Sequence, residues 1–180
     1  KVGDGFCDEG DYNNAHCSFD GTDCAPLMKT VGEKYDGIFN WSALIAGPDG
    51  ILFGIPKYAN KLLKLDVNSR STELVGDNLG TEALKWLGGI VGANGIIYGV
   101  PHNAKSIFSY DPATKETKFL AQGHPLLLSD KKYSSAVMAE NGQIYFFPFS
   151  KNKLVKFNPF DIENPLTEIG EDLYSSGMAG

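Results

Sequence analysis

The feature that most constrains this chain is an internal repeat. Gly50, Gly95 and Gly142 are spaced 45 and 47 residues apart, and three further columns keep register with them. Pro56, Pro101 and Pro148 follow the glycines by six residues, and Asp66, Asp111 and Asn158 follow the prolines by ten. Trp41, Trp86 and Tyr133 precede the glycines by nine. Self-similarity at such a period means stacked supersecondary units, because each unit can bury its apolar face only against a neighbour.

Each copy reads as four short strands. In the second they are expected at Trp86–Gly92, Ile96–Val100, Ser106–Tyr110 and Thr117–Leu120. Asn94-Gly95 is a favoured two-residue hairpin turn, with Asp49-Gly50 and Asn141-Gly142 supplying the same chemistry in the other copies. The strand after each turn is apolar throughout (Ile51–Ile55, Ile96–Val100, Ile144–Phe147), which predicts burial on both faces. Proline ends it because proline cannot donate to the ladder. Turn-formers follow the third strand: Asn68-Ser69, Pro112-Ala113 and Pro159.

Four-stranded units of this length are the period of propeller blades. The run from Trp86 through Gly88-Gly89 and Asn94-Gly95 to Tyr98-Gly99-Val100-Pro101 resembles kelch-like propeller repeats. The resemblance spans about residues 35–180, in copies of about 35–80, 81–130 and 131–180. It implies a mainly β fold of propeller blades. Three blades do not close a ring, which takes four to eight, so a partial propeller is expected. Ser176-Gly177-Met178-Ala179-Gly180 reads as the possible start of a fourth copy. A compact β-sandwich also has short strands and turn signals, but the regular spacing argues against it.

The N-terminal segment is of a different kind. The net charge of −6 is concentrated there: residues 1–24 hold six acidic side chains against Lys1 alone, and the rest holds 15 basic and 16 acidic ones. All three cysteines, Cys7, Cys17 and Cys24, lie in the same stretch. A segment this short and polar needs covalent or metal staples. Gly21-Thr22 lets a tight turn aim Asp20 and Asp23 at one point, which a tie between Cys7 and Cys24 would let Asp4 share. Several oxygen ligands at one locus suit Ca²⁺. Zinc on Cys7, His16, Cys17 and Cys24 is a competing reading, although adjacent His16-Cys17 lacks the usual ligand gap. An acidic solvated tail is another. An EF-hand is excluded by the absence of alternating ligands and a closing Glu.

Gly3-Asp4-Gly5-Phe6-Cys7-Asp8, Asn13-Asn14-Ala15-His16-Cys17 and Phe19-Asp20-Gly21-Thr22-Asp23-Cys24 closely resemble a Lin-12/Notch repeat. The resemblance implies a Cys7–Cys24 disulfide and pairs Cys17 with a cysteine upstream of Lys1, so the chain reads as truncated at its start. It implies calcium held by Asp4, Asp20 and Asp23, with the backbone carbonyls of Phe6 and Asp8 completing the shell and Asn13 and Asn14 bracing the loop. Tyr12 stands where the family often has a cysteine, so this is the two-disulfide variant. Phe19 replaces the usual Trp, and Thr22 the second Gly. A module of residues 1–25, a linker of 26–34 and a secreted or cell-surface location are then expected.

Elsewhere the sequence offers little chemistry. There is no basic stripe for nucleic acid, and no apolar run long enough to span a bilayer. No Gly-x-Ser-x-Gly elbow or phosphate-binding loop appears. Gly88-Gly89 reads as a place of close backbone approach, and Trp41, Trp86 and Tyr133 as inter-blade core more than sugar-stacking platforms. His102 is expected as a surface-loop histidine, and His124 is given no role. Asn40-Trp41-Ser42 fits the N-glycosylation pattern, weakly. Two functions compete. One is a non-enzymatic, extracellular, calcium-stabilised binding protein whose blades take a protein or glycan. The other is an accessory fragment of a larger secreted enzyme (a metalloprotease, transferase or propeller hydrolase or lyase) whose catalytic residues lie outside this chain.

Overall fold

A computed structural model describes residues 30–173 of the 180-residue chain. The chain divides into two compact units, Lys1–Val31 and Gly32–Gly180, and the blades lie in the second. The Lin-12/Notch-like segment and the fourth-copy residues 176–180 lie outside the described residues.

Among the described residues twelve strands form three separate four-stranded antiparallel sheets, each with its strands in chain order. Blade 1 holds β1 (Trp41–Ala46), β2 (Ile51–Pro56), β3 (Leu62–Asp66) and β4 (Ser71–Val75). Blade 2 holds β5 (Trp86–Val91), β6 (Ile97–Pro101), β7 (Ile107–Tyr110) and β8 (Thr117–Leu120). Blade 3 holds β9 (Tyr133–Met138), β10 (Ile144–Pro148), β11 (Leu154–Phe157) and β12 (Leu166–Ile169). The four strands expected in the second copy are present within a residue at each end. The first strands of successive blades lie side by side, β5 touching both β1 and β9. The blades therefore stack face to face, and a single two-sheet sandwich is excluded.

Two of the sequence columns turn out to be one structural feature. The aromatic that opens each blade pairs across the ladder with the proline that ends its second strand: Trp41 with Pro56, Trp86 with Pro101, Tyr133 with Pro148. A bulge beside each pair takes up one extra residue on the first strand. Proline is tolerated because the bulge ends regular pairing there. In blades 1 and 2 the indole also reaches across to the start of the third strand, Trp41 Nε1 donating to Lys61 O (3.1 Å) and Trp86 Nε1 to Ser106 O (3.0 Å).

The acidic column closes the opposite end. Asp66 Oδ1 accepts from the amides of Asn68 (2.8 Å) and Ser69, Asp111 Oδ1 from Ala113 (2.8 Å) and Thr114, and Asn158 Oδ1 from Phe160 (3.1 Å). These are side-chain turns that set the third-to-fourth-strand hairpin. The amides hold the Asp66 and Asp111 carboxyls below their usual range.

The first hairpin of blade 1 turns at Asp49 (φ 55°) and Gly50 (φ 75°) as expected, with Ile51 N donating to Pro48 O, whereas those of blades 2 and 3 differ from the expected two-residue turn. In blade 2 the amide of Gly92 donates to Ile96 O and that of Gly95 to Gly92 O (2.9 Å each), leaving a three-residue loop; Ala139, Gln143 and Gly142 repeat it in blade 3. A two-residue type I′ turn needs positive φ at both central residues. Gly95 (φ 78°) and Gly142 (φ 76°) supply one, but Asn94 and Asn141 stay out of that region. Their side chains accept from the amides of Ile96 and Gln143 instead.

Two cores lie between the blades. Phe53, Ile55 and Leu62 of blade 1 pack on Trp86, Ile97, Phe108 and Tyr110 of blade 2. Tyr98, Val100 and Ile107 of blade 2 pack on Tyr133, Ile144, Phe146, Val155 and Phe157 of blade 3. Each blade thus has a front face toward its predecessor and a back face toward its successor, alternating along the strands by the pleat. β6 is buried on both faces as expected, whereas Phe147 on the back of β10 is exposed. Gly88-Gly89 of β5 lies where a Cβ would crowd Ser134 O on one side and Ile55 on the other. That is the close approach expected of the pair.

Candidate functional site

In a four-stranded meander the start of the first strand, the second-to-third loop and the exit of the fourth strand share one end. That end carries the loops that differ between blades, and so the candidate chemistry. It is held by a belt of backbone bonds crossing all three blades. Lys57 N donates to Asn40 O (2.9 Å), Lys85 N to Lys57 O (3.1 Å) and His102 N to Lys85 O (2.9 Å). Lys132 N then donates to His102 O (3.1 Å), and Phe149 N to Lys132 O (2.7 Å). The residues involved directly precede the aromatic column or directly follow the proline column.

Asn40, Lys85 and Lys132 form a further column that the sequence reading missed. Lys85 and Lys132 are 2% and 0% exposed, although lysine is seldom buried. Each ammonium turns onto backbone carbonyls: Lys85 Nζ to Ala59 O (2.9 Å) and Glu82 O (3.1 Å), Lys132 Nζ to His102 O (2.9 Å) and Ser129 O (2.6 Å). In blade 1 the shorter Asn40 does the same locally, Nδ2 donating to Asp36 O (2.7 Å). That places the glycosylation candidate, half-buried, at the head of the belt. Burial lowers the pKa of Lys85 and brings that of Lys132 down to about 8. Each lysine clamps a loop of the preceding blade to the connector entering its own.

His102 does follow a strand end, but it is not a surface residue. It is 3% exposed, its Nδ1 lies 3.1 Å from Tyr133 O, and its ring meets Phe149 edge-on at 4.9 Å. Burial depresses its pKa, with the Tyr133 carbonyl opposing and Lys132 and Lys131 adding. Phe149 is the reason: it folds over the imidazole from blade 3. His124 Nδ1 accepts from Leu126 N and caps the short turn Pro125–Leu127. Trp86 and Tyr133 are buried in the inter-blade cores, as expected of that column.

The loop end opens into a cleft of about 640 Å³ between blade 2 and the connector that follows blade 1. Leu79, Trp86 and Phe119 form its apolar wall, with the Trp86 and Phe119 rings nearly parallel at 22° and 6.5 Å apart. Asn78, Glu82, Asn103, Lys105 and Asp130 bring polar side chains to the opening. Lys105 and Asp130 pair at 2.6 Å, and that bond holds the Asp130 carboxyl low. A smaller cleft of about 460 Å³ opens at the hairpin end, where Lys64 and Glu73 are already paired and turn residues such as Pro48 and Pro112 form much of the wall. The loop-end cleft is the better candidate, being larger and offering side chains from three loops. Of its lining only Trp86 was singled out in the sequence, and there as inter-blade core; most of the other residues come from loops and connectors outside the repeat columns.

The predicted calcium and disulfide residues (Asp4, Phe6, Asp8, Asp20, Asp23, Cys7, Cys17 and Cys24) lie outside the described residues. Among the described residues no cluster of three or more His, Cys, Asp or Glu is placed to hold a metal, and no helix is long and apolar enough to cross a membrane.

No family model matches the chain, and no curated protein does. Solved structures match its fold. The extracellular domain of a one-component system of B. thetaiotaomicron superposes with a TM-score of 0.57 at 15% identity, over 73% of this chain and 18% of that one. A streptogramin B lyase gives 0.56 at 19%, over 76% and 43%. An auxiliary nutrient binding protein of Bacteroides ovatus gives 0.54 at 16%, over 77% and 32%. The chain therefore spans less than half the length of each. Three four-stranded blades with these likenesses define a β-propeller-like protein.

Proposed function

We propose that the chain is an extracellular binding protein whose loop-end cleft takes a carbohydrate, with Gly3–Cys24 as a calcium-stabilised accessory repeat. The observation that carries the reading is the cleft itself. Its volume lies within the usual range for small-molecule sites, and an apolar wall faces several convergent polar groups. Phe119, 41% exposed, offers a flat face to the C–H side of a sugar ring. Asn78, Glu82 and Asn103 offer donors and acceptors for hydroxyls. The buried lysines support the reading indirectly: they fix the connector and loop that carry Glu82 and Asn103, and a pre-formed site loses less entropy on binding. Likeness to an extracellular domain and to a nutrient binding protein agrees with the location and the class.

Titration calorimetry against a panel of mono- and disaccharides tests it. At least one should bind, and Phe119→Ala and Glu82→Gln should each weaken it about tenfold or more. A panel that fails to bind at millimolar concentration, or binding untouched by both substitutions, would overturn the carbohydrate reading.

A further inference from the structure

The junction of blades 1 and 2 buries a polar atom that the fold itself leaves unpaired. Tyr110, the last residue of β7, is 3% exposed, yet among the described residues nothing hydrogen-bonds its hydroxyl. A buried hydroxyl without a partner is costly, and native structures seldom keep one without a use for it. Burial, then the charges of Glu73 and Asp111, push its pKa up, so the phenol stays a neutral donor. Tyr110 and Glu73 both line the hairpin-end cleft of about 460 Å³, which places the hydroxyl toward that opening.

The next junction shows how the repeat closes this place when it is only core. On the back of blade 2, Tyr98, Ser109 and Lys118 form one row across the sheet, and Phe157 of blade 3 meets Tyr98 edge-on at 5.2 Å. Asn94 Nδ2 donates to the Tyr98 hydroxyl at 2.9 Å, so the phenol there is satisfied within its own blade. On the back of blade 1 the same row reads Phe53, Lys64 and Glu73. The hydroxyl has moved to the facing ring, since Tyr110 stands before Asp111 where Phe157 stands before Asn158. The Phe53 and Tyr110 rings lie 6.0 Å apart and tilted by 57°.

The charges around the cleft are balanced. Lys64 Nζ and Glu73 Oε2 pair at 3.4 Å with both side chains partly exposed. The ammonium keeps two further protons to donate, and the carboxylate a second oxygen to accept with. Asp49 on the turn of blade 1 and Lys115 on the turn of blade 2 add one charge of each sign at the mouth. Ile51, Phe53 and Val75 supply the apolar wall. Such a lining disfavours a simple anion or cation and suits a molecule that carries both charges on an apolar body.

We propose that this cleft binds a free amino acid with a branched or aromatic side chain, independently of the loop-end site. The side chain lies against Ile51, Phe53 and Val75. The α-ammonium donates to Glu73, and the α-carboxylate accepts from Lys64 and from the Tyr110 hydroxyl.

Titration calorimetry of the 180-residue protein with leucine and phenylalanine tests it. Each is compared with the molecule lacking its ammonium (isocaproate, phenylpropionate) and the one lacking its carboxylate (isoamylamine, phenethylamine). At least one amino acid should bind at millimolar concentration or below, and its two analogues about tenfold more weakly, since each loses a charge-assisted bond. Tyr110→Phe removes one oxygen and should weaken binding about fivefold, while the ligand-free protein melts at the same temperature or higher. Glu73→Gln should shrink the preference for the amino acid over the acid that lacks the ammonium. The proposal is overturned if neither amino acid binds, if the analogues bind as tightly, or if either substitution leaves binding unchanged. A Tyr110→Phe protein that melts several degrees lower without ligand also overturns it, because the hydroxyl would then have a partner inside the fold.

Discussion

One carbonyl oxygen, that of His102, accepts both the backbone amide of Lys132 at 3.1 Å and its ammonium at 2.9 Å. The residue that enters blade 3 is thereby fastened twice to the loop between β6 and β7 of blade 2. The arrangement buries a positive charge among carbonyl dipoles, and burial is what draws its pKa down to about 8.

The pH dependence follows. The unfolded lysine holds its proton to about pH 10.4, whereas the folded one releases it near 8. Between these values the unfolded chain binds more protons, so stability rises with pH and is lost as pH falls through 8. Buried Tyr133, raised to about 12, opposes this only above about pH 10. Denaturant midpoints should therefore climb from pH 8 to 10, and Lys132→Met should flatten the climb. A flat profile in the parent protein contradicts the buried charge.

His102 works in the same direction at lower pH. Its folded pKa lies below the usual 6.5, so its contribution is fully present above that value and lost as pH falls through the depressed one. His102→Gln keeps a hydrogen-bonding side chain and removes the titration. It should reduce the loss of midpoint as pH falls below 6.5. An unchanged loss would remove His102 from the account.

Gly89→Val tests the close approach of first strands. Its Cβ would run into Ile55 of blade 1, and overpacking of this kind costs about 1–3 kcal/mol. Gly123→Ala, at a connector position with open space around it, should cost less despite its positive φ. Equal melting temperatures for parent and Gly89→Val would mean the blades are farther apart.

The calcium reading makes its own prediction. Under non-reducing conditions, calorimetry should show Ca²⁺ binding below millimolar concentration, abolished by Asp20→Asn with Asp23→Asn. Absence of binding, or binding that survives the pair, contradicts the ligand set assigned by resemblance.

Much of the fold was legible because its punctuation is chemical. Proline cannot sit inside a ladder, Asp66 and Asp111 set turns through their own carboxylates, and large aromatics at a fixed position mark a shared core. The lysine column was not legible, since Asn40 stands in it beside Lys85 and Lys132, and lysine ordinarily reads as surface. His102 was misplaced for a related reason: Phe149, which covers it, comes from the next blade. The cleft joins residues of three loops, and no local pattern foretells such a meeting.

The most direct measurement of the central claim is a map of amide chemical shifts as a bound saccharide is titrated into the protein. The account predicts perturbations gathered at Asn78–Lys85, Asn103–Ser106 and Phe119, with the hairpin turns at Gly50, Gly95 and Gly142 silent. Perturbations centred on those turns, or spread evenly over the blades, would contradict it.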